Sequence, residues 1–211
     1  MCWGWNDDPL DDVSYLLNLD VVAVKIPKML RNAGKPMDQK RDDMYVWTDV
    51  VFAEESVYES IGGKREQSTM TPAEYRIERS TANIERHIET YVKAHPETRF
   101  VIYMPPYSVA YWYTTLRNGL IDQQMRSRAL VCEKLLQYEN VEIYDFSSRL
   151  DWIENLDNYF DYSHHSGEIS DEIVRAIAAG ENRVYSVREM EAGSSVIRTA
   201  AEAFAERYEG R

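Results

Sequence analysis

The segment Asn158-Tyr159-Phe160-Asp161-Tyr162-Ser163-His164-His165 gathers more potential chemistry than any other part of this 211-residue chain. An aspartate three residues before a histidine on one loop can set its carboxylate against the imidazole. The carboxylate then fixes the tautomer and supports the imidazolium, while the outward nitrogen acts as a general base. The plain alternative is a solvated pair of loop histidines, because Asp-x-x-His spacing is common by chance.

Other groups carry weaker signals. Tyr103, Tyr107, Tyr111, Trp112 and Tyr113 could form an aromatic wall for a sugar or acyl group, or a core cluster where strand meets helix. Asp7, Asp8, Asp11 and Asp12 could attract a hard cation, but they lack the glycine and terminal glutamate of a calcium loop. A solvated acidic face is the competing reading. His87 is a single helix histidine, read as exposed. The 2 cysteines, Cys2 and Cys132, have no nearby Cys or His partner, which argues against zinc. Cys132 ends the run Ala129-Leu130-Val131 and reads as a small buried hydrophobe, with a disulfide to Cys2 left open. No metal and no organic cofactor is expected.

The elements that must position the 158–165 loop follow from periodicity and breakers. Thr71-Pro72-Ala73-Glu74 is a helix start, with Thr at the N-cap, Pro at N1 and Glu at N3. Ile77, Ile84, Ile88, Tyr91 and Val92 carry the helix to about Lys93, and His95-Pro96 ends it. The apolar run stopped by Pro105-Pro106 predicts a buried parallel strand over 99–105. A long helix follows over 110–138, with Asn118-Gly119 as its weak point, and then a strand over 141–146. The loop comes next, then a short helix over 168–178 closed by Gly180, and a last amphipathic helix over 187–208. Upstream, residues 19–30 show helical spacing interrupted by Pro27, and 45–52 hold short extended pieces. Residues 54–69, with Gly62-Gly63, read as a surface loop or flap. The order helix, strand, helix, strand implies right-handed crossovers and an α/β sheet. Ligands of open α/β sheets bind beyond the carboxyl ends of the strands, where the 158–165 loop should lie.

Composition limits the partners. Hydrophobic residues make up 44% and charged residues 28%, a globular balance, and the net charge of -12 disfavours nucleic acid in the absence of a basic patch. No apolar run is long enough to span a bilayer, and the N-terminus has neither the basic nor the apolar region of a signal peptide.

The Pro-Pro-Tyr-Ser loop after the first strand, the second strand ending in Tyr-Asp-Phe, and Asp161-x-x-His164 before a short helix together resemble the C-terminal half of SGNH (GDSL-type) hydrolases. More narrowly they resemble the cell-envelope branch, which acts in teichoic acid D-alanylation and polysaccharide O-acetylation. The resemblance covers roughly residues 71–180. It implies that Asp161 and His164 are two members of a Ser-His-Asp triad. Gly4-Trp5-Asn6-Asp7 is similar to the family's Gly-x-Asn-Asp block, which implies an oxyanion role for Asn6, against the alternative of a simple Asn-Asp-Asp-Pro turn. The family's Gly-Asp-Ser nucleophile block occurs nowhere in the chain. Ser108 and Ser163 are the substitutes to consider. Ser108 lacks the glycines that allow a strained nucleophile turn, so it reads as cleft lining or a helix N-cap.

The expectation is one α/β domain over 1–211 of the flavodoxin-like, three-layer SGNH type, N-terminally incomplete, with a C-terminal helical appendage at 187–211. The intact parent would be a serine esterase or acyltransferase acting on acyl esters of a cell-envelope glycopolymer. Asp161 and His164 would be catalytic, and Tyr107, Ser108 and Tyr162 would bind substrate. The chain alone would be inactive. The resemblance places the parent in the cell envelope. The alternative is a non-catalytic assembly or carbohydrate-binding protein on a decayed scaffold. A strand apolar on both faces with no preceding strands implies either a missing N-terminal segment or a homodimer built around Trp3 and Trp5.

Overall fold

The two apolar runs fold as parallel strands, β1 (Phe100–Met104) and β2 (Val141–Asp145), in register from Phe100↔Val141 to Met104↔Asp145. The computed structural model describes residues 50–62 and 76–210, together with Pro27. The chain divides into two compact units, Met1–Asp49 and Val50–Arg211. Apart from Pro27, the described residues all belong to the second unit. Asn6, the acidic cluster at 7–12, the extended pieces at 45–49, the helix start at 71–75, and Trp3 and Trp5 lie outside the described residues.

Helix α1 (Glu54–Gly62) opens the described part. It is followed by a continuous helical stretch of α2 (Ile77–Ile84), a π-helical turn (Glu85–Glu89) and α3 (Thr90–Ala94). After β1 come α4 (Val109–Arg117) and α5 (Ile121–Leu135), separated where Gly119 takes a φ of 69°. A side chain is disfavoured in that left-handed region, so the expected weak point is a real break. Beyond β2 lie α6 (Leu150–Ile153), a 3₁₀ turn (Leu156–Asn158) and α7 (Gly167–Ala179), the last closed by left-handed Gly180. A two-residue strand, β3 (Arg183–Val184), pairs antiparallel with β2, and α8 (Val187–Glu209) ends the fold. The described part is therefore mixed α/β, mostly helical, with a three-stranded sheet ordered β1-β2-β3.

The two faces of the sheet differ. Phe100, Ile102, Val141, Ile143 and Val184 face a core built by α2, α3, α5 and the start of α8. On the other face, Tyr144 packs with Phe146, Trp152, Ile169, Ile173 and Ala176 beneath α6 and α7. That cover stops at β2. Val101 and Tyr103 of β1 are 38% and 46% exposed. The expected buried strand is thus, among the described residues, an edge strand with one open face.

Three expectations are corrected. Residues 54–62 are a helix, not a flap. Glu54 and Glu55 suit the positive helix start, and Val57, Tyr58 and Ile61 share an apolar face whose Val57 is fully buried. Residues 50–52 are irregular and form no strand. The helix at 187–209 is no appendage. Met190, Ile197, Ala201 and Phe204 are buried, and α8 packs on α4 and α5. β3 has no counterpart among the expected elements, since two residues carry no periodicity.

Candidate active site

The 158–165 loop is closed on itself before it is held by anything else. Tyr159 and His165 form an antiparallel bridge, Phe160 N–H donates to the His164 carbonyl at 3.3 Å, and Ser166 N–H donates to the Asn158 carbonyl at 2.8 Å. Within this small hairpin the Asp161 carboxylate turns inward. Its Oδ1 accepts from the backbone amides of Ser163 at 2.7 Å and His164 at 2.8 Å, and from the Ser163 hydroxyl at 3.1 Å. Its Oδ2 lies 2.8 Å from His164 Nδ1. With the carboxylate ionised, Nδ1 carries the proton and donates it, so Nε2 is the basic nitrogen. The His164 ring stacks on Phe160 at 5.2 Å and 9°. Burial of the Asp161 carboxyl acts to raise its pKa. The opposing bonds from Ser163 N–H and from the ring and amide of His164 outweigh it, and the pKa lies below the usual carboxylate range.

The loop seats against the segment that leaves the carboxyl end of β1. The fully buried Tyr159 donates its hydroxyl to the Pro106 carbonyl at 2.6 Å, and the Ser108 hydroxyl donates to the Tyr162 carbonyl at 2.6 Å. Residues 53–60 hold the loop as well. Ala53 N–H donates to Tyr159 O, Glu54 N–H to Asp157 Oδ1, and Tyr162 N–H to Ser60 Oγ at 3.0 Å.

Asp161 and His164 are therefore brought together, and Tyr107, Ser108 and Tyr162 lie beside them. Tyr107 stacks on Tyr111 at 4.4 Å, and Tyr111 stacks on Tyr162 at 6.1 Å. Burial, with a smaller contribution from Tyr103, raises the Tyr107 pKa. The aromatic wall is thus divided. Tyr107 and Tyr111 are half-buried, whereas Trp112 and Tyr113 are core. Ser108 is the N-cap of α4, accepting Tyr111 N–H at 3.3 Å, and is fully buried. Its proton and one lone pair are committed, which is the arrangement of a structural hydroxyl. Ser163 Oγ approaches Nδ1 at 3.2 Å, the nitrogen already facing Asp161, so it is not placed for activation by Nε2. His165 donates Nδ1–H to the Ser166 carbonyl. Burial first, and the neighbouring His164 charge last, hold its pKa below the ordinary histidine value. The Cys132 thiol is buried and pushed up to about 12, which leaves it inert as a nucleophile.

A second polar cluster stands at the carboxyl end of β2. Arg128 donates to Asp145 at 2.7 Å, to Ser147 at 2.9 Å and to Ser194 at 3.1 Å. Its guanidinium also lies 5.8 Å from the Trp112 ring centroid. Ser147 passes the connection on to the Pro105 carbonyl at 2.9 Å, so the cluster braces the loop that carries Ser108. Sequence reasoning misses this cluster. Two signals are present: an aspartate ending an apolar strand, and an arginine directly before Ala129-Leu130-Val131-Cys132. Ser60 offers no signal, because its segment reads as a loop.

No family model, no curated protein and no solved structure matches the chain. Among the described residues, no group of three or more His, Cys, Asp and Glu side chains is arranged to hold a metal, and no helix is long and apolar enough to cross a membrane.

Proposed function

We propose that this chain carries the acid–base half of an SGNH-type serine esterase or acyltransferase, on a flavodoxin-like α/β scaffold. The observation that carries the reading is the 2.8 Å contact between Asp161 Oδ2 and His164 Nδ1, on a loop seated against the segment leaving β1. Asp161 orients the ring. Nε2 takes the proton of an attacking hydroxyl as that oxygen bonds to the acyl carbon. The same proton then passes to the departing alkoxide as the tetrahedral intermediate collapses. Ser108 and Ser163 are otherwise engaged, so the chain alone has little esterase activity. By resemblance, the substrate is an acyl ester on a cell-envelope glycopolymer.

The test uses the full chain and p-nitrophenyl acetate. With no activated serine, the expected result is little or no turnover above the buffer rate, and any that is seen is lost in His164→Ala. Robust turnover that survives His164→Ala overturns the reading. Loss of robust turnover in both His164→Ala and Ser108→Ala would make Ser108 the nucleophile.

A second reading, a non-catalytic assembly or carbohydrate-binding protein, is favoured by one observation. Asp161 Oδ1 accepts two backbone amides and so closes the loop whether or not a reaction occurs. Under that reading, His164→Ala leaves every catalytic rate at the buffer level.

A further inference from the structure

Tyr162 sits between the aspartate and the histidine, and both of its backbone hydrogen-bonding groups are taken by serine side chains. Its N–H donates to Ser60 Oγ at 3.0 Å, and its carbonyl accepts from Ser108 Oγ at 2.6 Å. The two serines come from different helices, Ser60 from the last turn of α1 and Ser108 from the N-cap of α4. Each hydroxyl is itself fixed. Ser60 donates to the Val57 carbonyl at 2.6 Å, and Ser108 accepts Tyr111 N–H.

We propose that Ser60 and Ser108 are positioning residues: by gripping the two peptide groups that flank the Tyr162 Cα, they hold Asp161 Oδ2 on His164 Nδ1 and so set the imidazole tautomer. This rests on the dyad reading and deepens it by stating what controls the dyad. The physical case is one of leverage. The peptide group that carries Tyr162 N–H also carries the Asp161 carbonyl. The peptide group that carries the Tyr162 carbonyl also carries Ser163 N–H, one of the three donors on Asp161 Oδ1. Releasing either grip lets these two peptide planes rotate. A hydrogen bond tolerates only a narrow range of distance and angle, so a rotation too small to unfold the loop moves the carboxylate off the ring. The clamp also makes α1 part of the site: docking of residues 54–62 is coupled to the protonation geometry of His164.

The experiment is nitrogen–proton correlation spectroscopy of the histidine side chains in the full chain, with His164 assigned through His164→Gln. In the unaltered protein, the expected spectrum shows His164 protonated at Nδ1 with a downfield Nδ1 proton. Ser60→Ala and Ser108→Ala should each lose that proton signal and shift His164 toward a mixed tautomer, with circular dichroism unchanged. Ser60→Thr, which restores a hydroxyl at a partly exposed position, should bring the signal back. If the buried Ser108→Ala fails to fold, Ser60→Ala and its threonine rescue decide the matter. Retention of the downfield proton in Ser60→Ala overturns the clamp and leaves the dyad intact. Its absence from the unaltered protein overturns the dyad itself. Signals that follow the clamp, in a chain whose ester turnover ignores His164, would leave the clamp standing and end the esterase reading.

Discussion

Asp145 with Arg128, and Asp161 with His164, are both contacts of a carboxylate at or beyond the end of β2 with a nitrogen donor, but water treats them differently. The Arg128 and Asp145 side chains are 6% and 5% exposed, and their remaining groups are engaged by Ser147 and Ser194. The His164 side chain is 54% exposed and that of Asp161 is 15% exposed. A dry pair whose cation cannot lose its proton can only brace. A pair with one half-exposed imidazole can exchange protons with a ligand. The difference teaches that charge type and loop position do not separate structure from chemistry here. Accessibility and titratability do.

The sharpest way to break the comparison is to unpair the dry site. Asp145→Ala leaves a buried guanidinium without its counter-charge and should cost about 3–5 kcal/mol in urea unfolding. A double change to Arg128→Met and Asp145→Leu should lose much less. Equal losses in the two proteins would mean that packing, not charge, holds this region.

Gly193→Ala probes the same site from α8. A Cβ there would stand 2.6 Å from Asp145 Oδ2, so the helix or the carboxylate must shift. The expected cost is about 1–3 kcal/mol, with strong non-additivity toward Asp145→Ala in a double-mutant cycle. Additive losses would show that the close approach does not couple them.

Asp161→Ala should cost about 1–3 kcal/mol at pH 7, through the amides of Ser163 and His164 left without an acceptor. The folded pKa of Asp161 lies below the unfolded value of about 3.9, so its ionic contribution is complete above that value. It is lost as pH falls through the lower, folded pKa. The gap between the two proteins in urea melts should therefore be smaller at pH 3 than at pH 7. A constant gap would assign the whole effect to loop packing.

His165 offers a smaller effect. Its folded pKa lies below the ordinary value of about 6.5, so the folded state favours neutral imidazole. Its stabilisation is complete above about pH 6.5 and declines as pH falls toward the folded pKa. His165→Gln should flatten the pH dependence of the melting temperature in that window, and a proton titration should place its midpoint below the ordinary value. The smallest change is Arg126→Ala. Its pairing with Glu133 is exposed, and the expected loss is about 0–1 kcal/mol by the same urea assay.

Much of the architecture can be read from the chain because it depends on neighbours along it. Gly119 and Gly180 break helices where their spacing predicts. The two strands begin within one residue of their expected starts, and the helices at 167–179 and 187–209 follow their apolar spacing. The contact of Asp161 with His164 belongs to the same class, since three residues of a tight turn are enough to form it.

Tertiary structure alone decided everything that joins distant segments. Whether 54–62 is a flap or a helix depends on a partner surface for Val57, supplied by residues near 109, 156 and 200. Whether 187–209 hangs free or lies in the core depends on the matching faces of α4 and α5. The role of Ser108 is open between cleft lining and N-cap until Tyr162 and Tyr111 meet its oxygen. Arg128, Asp145, Ser147 and Ser194 span 66 positions of chain yet form one network. Local sequence determines which backbone states are cheap, because turns, caps and periodicity act over a few residues. It cannot say which buried charge meets which, because that pairing is settled by how the helices pack and where they leave no water.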